Sequence, residues 1–443
     1  MELSGNLVKN LQIGAVLSLV LLMPACGSGT ANSPTPPTPT PVPTPTPTPT
    51  PTVAPNVARL KAALSLGAPR TVAAQDVVFT IANSSSYPTG VAVSLRDPKI
   101  RLLGGLHLNG PFYPRTEAWV PQATNYADPL PSYLTYSDIR HGNVNGAEFV
   151  LPPGQKEFEL RILDAGDVLP IELAIDGVLT SDGGYLVDWK SDGNIRFFKF
   201  VLPASSQARR ITLYTNSNPL SYLILPAGET LAALPTAAGA DASIVFEGDS
   251  ITEGAVAGLA TRKWTMQAAL RLGIRNPIIV GVGGSGYLAR LPGTSNIPMR
   301  IENVVKAVDG GPPDAVVVAA GINDCSVAEP SPFPVVNTQT AALNYFQALR
   351  SAAPSMLIFV VGPFTDYNNP TYSTTSSTCR DAIFQAARQV SLTYTIDASD
   401  WVTPANRDIV FNGRTYGPHP VDAGHQIYGQ RAASAISAIL TGL

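Results

Sequence analysis

From about residue 241 onward, short apolar runs alternate with helix-like stretches, and this rhythm leaves few folds open. The runs are Ile244–Phe246, Ile278–Val282, Ala315–Ala320, Leu357–Val361 and Tyr394–Ile396. Helical patterns near Trp264–Leu272, Met299–Val308, Thr340–Arg350 and Arg380–Val390 lie between them, and a last one runs from about Asp422 to Leu440. Continuously apolar strands, with no wet face, belong to a parallel sheet covered by helices on both sides. Five such strands over residues 241–443 predict a flavodoxin-like three-layer α/β/α domain. Sheets of this kind bind ligands outside the carboxyl ends of their strands.

Three of those strand ends carry loops with chemical potential. Gly248-Asp249-Ser250 follows the first strand, Gly281-Val282-Gly283-Gly284-Ser285-Gly286 the second, and Gly321-Ile322-Asn323-Asp324 the third. A fourth segment, Asp422-Ala423-Gly424-His425, opens the final helix. A serine hydroxyl is a weak nucleophile until a base takes its proton. His425 is the natural base, because imidazole titrates near neutral pH. Asp422, three residues earlier, is placed to accept from Nδ1 and fix the tautomer. His419 is a second candidate base. The backbone N–H groups of Ser250 and Gly283 and the side-chain amide of Asn323 supply three donors for an oxyanion. Each piece also has a plainer reading. Ser250 can cap a helix, Asn323-Asp324 can be a turn, and His425 can be packing. The glycine run has the outline of a dinucleotide loop, but it follows the second strand, and Pro292 and Pro298 prevent a helix from opening promptly after it. Jointly, at successive strand ends, the segments favour catalysis.

These four blocks resemble the SGNH (GDSL-type) hydrolase superfamily over about residues 241–443. The resemblance implies Ser250 as nucleophile, Gly283 and Asn323 as oxyanion donors, and His425 with Asp422 as base and orienter. One departure is Gly281, where the family's second block usually starts with asparagine; a structural hydrogen bond is lost but no oxyanion donor.

Residues from about 56 to 240 have a different rhythm. After a possible short helix at Val57–Leu66 come alternating runs such as Val77–Ile81, Ala147–Leu151, Phe158–Ile162, Ile171–Ile175, Ile195–Phe200 and Ile211–Tyr214. Their period of two gives one buried and one wet face. Asp176-Gly177, Asp182-Gly183-Gly184 and Asp192-Gly193 read as hairpin turns. The expectation for 56–240 is a β-sandwich, jelly-roll-like in form. A β-sandwich followed by an SGNH domain is similar to carbohydrate esterases of family two, which remove acetyl groups from plant polysaccharides. Tyr113, Trp119 and Trp189 can stack on sugar rings, although hairpin or core packing is the more ordinary use of such residues.

The first 25 residues have the form of an export signal: Lys9, then an apolar run from Ile13 to Leu22, too short to span a bilayer comfortably. The run ends Leu-Met-Pro-Ala-Cys26, which resembles a bacterial lipobox and implies lipidation of Cys26; the alternative is signal cleavage near Ala25. Residues 26–55 form a linker, with eleven prolines between 31 and 55. Proline fixes φ and removes a donor, so this stretch is expected to be an extended polyproline II spacer. Charged residues make up only 14 % of the chain, a balance that suits an exported protein, cell-envelope lipoprotein or secreted. With a net charge of −3 and no basic patch, nucleic acid is not an expected partner.

Cys26, Cys325 and Cys379 match no zinc spacing, and with four histidines no metal or cofactor is expected. In an oxidising compartment Cys325 and Cys379 can form a disulfide; two buried thiols are the alternative. The sequence thus points to a serine esterase acting through an acyl-enzyme, with O-acetylated carbohydrate as expected substrate and a lipid anchor to the membrane. A short-chain lipase or aryl esterase shares the chemistry. A glycan- or surface-binding lipoprotein with a vestigial site is the reading from another class.

Overall fold

A computed structural model describes residues 54–94, 97–104, 144–163, 170–188, 194–216, 220–291, 294–308, 311–325, 333–414 and 417–443. Cys26, the export signal and most of the linker lie outside these residues, as do Tyr113, Trp119 and Trp189.

The carboxyl-terminal strands are β11 (Ser243–Gly248), β12 (Asn276–Gly281), β13 (Ala315–Ala319), β14 (Leu357–Val361) and β15 (Thr393–Ile396), in the order β12-β11-β13-β14-β15. All neighbouring pairs are parallel. The polypeptide thus starts next to the edge and doubles outward in both directions, the 2-1-3-4-5 order of flavodoxin-like sheets. Alternate residues feed two separate cores. Ile244, Phe246, Val317 and Phe359 enter one, and Val245, Val316, Val318 and Ile358 enter the other. A strand buried on both faces has no polar alternation, which is why these runs are continuous in the sequence.

The preceding strands are β1 (Val78–Ala82), β2 (Val91–Ser94), β3 (Ile100–Gly104), β4 (Val144–Leu151), β5 (Glu157–Leu163), β6 (Glu172–Ile175), β7 (Val178–Leu179), β8 (Ile195–Val201), β9 (Arg209–Asn216) and β10 (Leu220–Leu225). They form two antiparallel sheets, β1-β8-β5-β10-β2 and β3-β4-β9-β6-β7. Phe149, Phe158, Phe198, Phe200, Ile211 and Leu213 fill the space between them. Asp176 and Gly177, at φ 53° and 88°, close the β6–β7 hairpin in the left-handed conformation its two-residue turn demands.

The sandwich does not stand apart from the three-layer region. Leu103, Val144 and Tyr214, on the β3-β4-β9 sheet, pack with Ala260, Met266 and Ile279. Helix α1 (Ala54–Leu64) precedes the sandwich in sequence yet docks on the parallel-sheet layer. Its Val57, Leu60 and Ala63 share a core with Phe246, Trp264 and Tyr428. Asn56 Nδ2 donates to the Ser355 carbonyl at 3.0 Å, and Arg59 Nε donates to Asp314 at 2.9 Å. The break in pattern near residue 241 therefore marks a change of secondary structure, and α1 belongs with the layer that follows it.

Candidate active site

β11 ends at Gly248, and α2 (Ser250–Glu253) begins at once. Asp249 is the N-cap: its Oδ1 accepts from the Ile251 N–H at 2.9 Å. Burial pushes its carboxyl up to about 7 against that hydrogen bond. Gly254, at φ 91°, closes the single turn, and Ala255 N–H donates back to the Ser250 carbonyl at 2.9 Å. The serine is thus fixed on a sharp strand-to-helix turn at the carboxyl rim.

In register, Gly248 pairs with Gly281 of β12 and with Ala319 of β13, so the three loops leave the sheet side by side. The glycine at 281 is a packing requirement: a Cβ there would lie 2.2 Å from the Glu253 backbone nitrogen. The asparagine expected at that position would collide with α2. Gly283 borders the serine directly, since a Cβ on it would stand 3.8 Å from the Ser250 Cβ. Asn323 lies in α5 below, after α3 (Trp264–Arg271) and α4 (Ile301–Val305); α5 spans Ile322–Cys325. One amide hydrogen of Asn323 goes to the Ser285 carbonyl at 2.8 Å, which aims the side chain at the glycine loop. An amide nitrogen has a second hydrogen to offer.

The loop itself hangs on Asp324. That buried carboxylate accepts from the backbone N–H groups of Tyr287, Leu288 and Ala289 at 2.8, 2.8 and 2.9 Å. Beneath it lies a buried ion pair: Arg300 Nε donates to Glu247 at 2.9 Å, and Arg300 Nη2 donates to the Gly248 carbonyl at 3.0 Å. Burial raises the Glu247 carboxyl to about 7, with Arg300 opposing. Sequence reasoning missed this pair. A glutamate inside the apolar run of β11 was its one signal, because a buried charge requires a partner.

The base position corrects the sequence reading. His419 Nε2 lies 2.8 Å from Ser250 Oγ. His425 does not face the serine. Its Nδ1 accepts from the Trp264 N–H at 3.3 Å, and its Nε2 is 3.1 Å from the Ala255 carbonyl. A backbone N–H can only donate and a carbonyl can only accept, so His425 is held as the Nε2–H tautomer with both nitrogens committed. It is fully buried, and desolvation brings its pKa down to about 4. Such an imidazole has no free lone pair for a serine proton. Asp422 is likewise engaged elsewhere: Oδ1 accepts from the Gly258 N–H at 2.7 Å, and Oδ2 pairs with Arg262 at 2.6 Å. The two residues assigned as base and orienter instead brace the segment 255–264 that follows the nucleophile.

His419 sits between Pro418 and Pro420, on the loop ahead of α9 (Asp422–Gly442); α6 (Val335–Ala352), α7 (Thr374–Arg388) and α8 (Arg407–Phe411) precede it. Partial burial lowers its pKa, with the nearby Glu253 charge opposing. A histidine that is neutral at neutral pH is ready to accept a proton.

Cys325, at the end of α5, is bonded to Cys379 of α7, with the Cα atoms 6.0 Å apart. Among the described residues no group of three or more His, Cys, Asp or Glu could hold a metal ion. No helix among them is long and apolar enough to cross a membrane.

Residues 246–427 match the family model of the GDSL-like lipase/acylhydrolases. Solved structures with the same fold include a family two carbohydrate esterase from Clostridium thermocellum in complex with cellohexaose. It is 19 % identical, with a TM-score of 0.51, over 68 % of this chain and 96 % of that one. Another is the salicylyl-acyltransferase SsfX3 from a tetracycline biosynthetic pathway, 16 % identical, with a TM-score of 0.57, over 80 % and 98 % of the two chains. A search of curated proteins found no match. With a serine–histidine pair at the rim of a flavodoxin-like sheet and its loops on the matched segment, residues 246–427 form a GDSL-like lipase/acylhydrolase domain, and the chain is a carboxylic ester hydrolase.

Proposed function

We propose that the protein is an extracytoplasmic esterase that removes O-acetyl groups from carbohydrate through an acyl-enzyme at Ser250. The observation that carries the reading is the 2.8 Å contact between Ser250 Oγ and His419 Nε2 beside Gly283. His419 Nε2 takes the hydroxyl proton as Oγ attacks the ester carbonyl carbon. The C=O electron pair moves onto oxygen, where the N–H groups of Ser250 and Gly283 and the free Asn323 amide hydrogen meet it. Imidazolium then returns the proton to the departing sugar oxygen, and the acyl group stays on Ser250. Water repeats the sequence, with His419 as base, and releases the acid. The negative charge of Glu253 near His419 favours the imidazolium that forms in each half-reaction.

The carbohydrate assignment draws support from the cellohexaose bound by the structural neighbour. Export draws support from the leader and the proline-rich linker. The body begins at α1, beside Ser355 and Asp314, at the amino ends of β14 and β13. Acetate esters and acetylated polysaccharides, offered to wild type and to Ser250→Ala, test the proposal. Wild type should release acetate from both and prefer acetyl over octanoyl esters, while the variant should do neither. Activity surviving in Ser250→Ala refutes the nucleophile, and an octanoyl preference makes the protein a lipase. Cys26→Ser should free the protein from the membrane fraction if the anchor is a lipid on that cysteine.

A further inference from the structure

The parallel sheet has a second end, far from Ser250, and a cavity lies there. It occupies about 310 Å³ between the outer face of the β3-β4-β9-β6-β7 sheet and the start of β12, the size of a small-ligand pocket, for which about 300 Å³ is the lower bound. Its lining is unusually rich in ionised groups: Arg70, Arg210 and Arg275, with Glu148 and Asp176.

Each carboxylate around it already has partners. Glu148 is held by Arg101 through a short contact, with Arg210 Nε 3.7 Å away. Asp176 accepts from the Arg210 backbone N–H at 2.9 Å. Glu172, behind the wall, accepts from Thr261 N and Oγ1 at 2.8 and 2.5 Å, with Arg70 at 3.6 Å. Arg70 is also paired with Asp182 at 2.8 Å. Arg275 remains. Among the described residues it has no hydrogen bond and no ion pair, and its Nη1 is buried without an acceptor. Arg210 Nε is buried in the same condition, since 3.7 Å exceeds a hydrogen bond. Arg275 and Arg210 both line the cavity, and each carries one buried nitrogen that the protein does not satisfy; buried charged donors are costly to leave so. Burial, Arg210 and Arg101 all act against the charge on Arg275, and Glu148 favours it. Leu103, Met266 and Leu270 give the cavity apolar walls, and Thr71 and Thr212 add hydroxyls.

We propose that this cavity binds a small molecule bearing an oxyanion, a carboxylate or a phosphate, with Arg275 and Arg210 as its donors. Guanidinium groups match both anions through paired N–H bonds. The apolar walls and hydroxyls take the remainder of the molecule. The site lies at the amino edge of the sheet and is separate from the reaction at Ser250.

Glucuronate, inorganic phosphate and neutral glucose, titrated into the full chain by calorimetry and thermal shift, decide the matter. Glucuronate or phosphate should bind saturably, with a dissociation constant of about 1 mM or tighter, and glucose should not. Glucuronate alone identifies an acidic sugar as the source, and phosphate alone a free phosphate; either supports the site. Arg275→Gln should weaken binding at least about tenfold, and Arg275→Lys should retain part of it, as a charge-assisted bond requires. Hydrolysis of acetate esters should be unchanged in both. The unliganded Arg275→Gln protein should melt no lower than wild type, because an unpaired charge is removed. Absence of saturable binding by either anion, binding untouched by Arg275→Gln, or a lowered melting temperature in that unliganded variant would each overturn the proposal.

Discussion

The two histidines of the last loop and helix invite a direct test. His419→Ala removes the only imidazole in contact with Ser250 among the described residues, at 2.8 Å. General base catalysis contributes roughly 10²–10⁴-fold, so kcat should fall by about that factor, with melting behaviour little changed. His425→Ala should do the reverse. It strands the Trp264 N–H and the Ala255 carbonyl, which His425 now satisfies at 3.3 and 3.1 Å. An unsatisfied buried group costs about 1–3 kcal/mol, so the two together cost about 2–6 kcal/mol before any cavity is counted. Folded His425→Ala protein should keep kcat within about tenfold of wild type, because its nucleophile and base are intact. A pH series gives an independent check. The His425 pKa is lowered from 6.5 to about 4, equivalent to about 3 kcal/mol. Its neutral form stabilises the fold above pH 6.5, and this contribution is lost as pH falls toward 4. The variant should lack that portion of acid sensitivity. Hydrolysis of a chromogenic acetate, normalised to folded protein, together with denaturant melts from pH 4 to 8, supplies every quantity. A folded but inactive His425→Ala beside an active His419→Ala would refute the reasoning.

Asp422→Ala should lower kcat by less than about tenfold, whereas the orienting acid of a serine triad is worth about 10⁴; steady-state kinetics separates the two. The acid limb of kcat/KM should have its midpoint below 6.5, since burial lowers the His419 pKa and activity is lost only once that nitrogen is protonated. Reduction of Cys325–Cys379, 54 residues apart, should cost about 4 kcal/mol by the chain-entropy model. A urea melt with and without reductant measures it.

Much of this site was legible in sequence because strand period and strand end are local properties. The apolar runs identify β11, β12 and β13, and the parallel fold then brings Ser250, Gly283 and Asn323 to one rim. The base was not legible from the Asp-x-x-His spacing, although another pattern opposed it. His425, Tyr428, Ala432, Ile436 and Leu440 recur at helical spacing, and all are buried. That stripe puts His425 on the packed face of α9, where an imidazole is fixed and desolvated. His419, in Gly417-Pro418-His419-Pro420, occupies a stiff loop that is half open, as a base exchanging protons must be. Long-range partners had no local signal. The Glu247–Arg300 pair spans 53 residues, and the docking of α1 on Asp314 spans 255. Strands β2 and β10 were missed for a related reason: they pair with each other across 128 to 134 residues, and β2 is only four residues long.

The sandwich can now be given a physical part in catalysis. Segment 255–264 follows the nucleophile and holds only one turn of 3-10 helix, Ala260–Arg262, before α3, so its own backbone fixes little of it. Ala255 is held by His425 and Gly258 by Asp422. Its far end is held by the sandwich: Glu172 of β6 takes both the N–H and the hydroxyl of Thr261. Arg262 joins the two anchors, pairing with Asp422 at 2.6 Å and with Asp182 at 3.1 Å. Val256, a β-branched residue at φ 74°, is kept in this span against its backbone preference, which requires that its surroundings over-determine it. A glutamate with no exposure, its pKa raised by burial and held down by Thr261, supplies that rigidity from the antiparallel sheet. Glu172→Gln should therefore loosen the loop beside Ser250 without touching the reacting atoms. It keeps the shape but converts one acceptor oxygen into a donor facing Thr261. The expected result is a raised KM with kcat nearly unchanged, and faster amide exchange confined to residues 255–262. A fall in kcat with KM unchanged would mean that the sandwich acts on the chemistry by some other route than this segment.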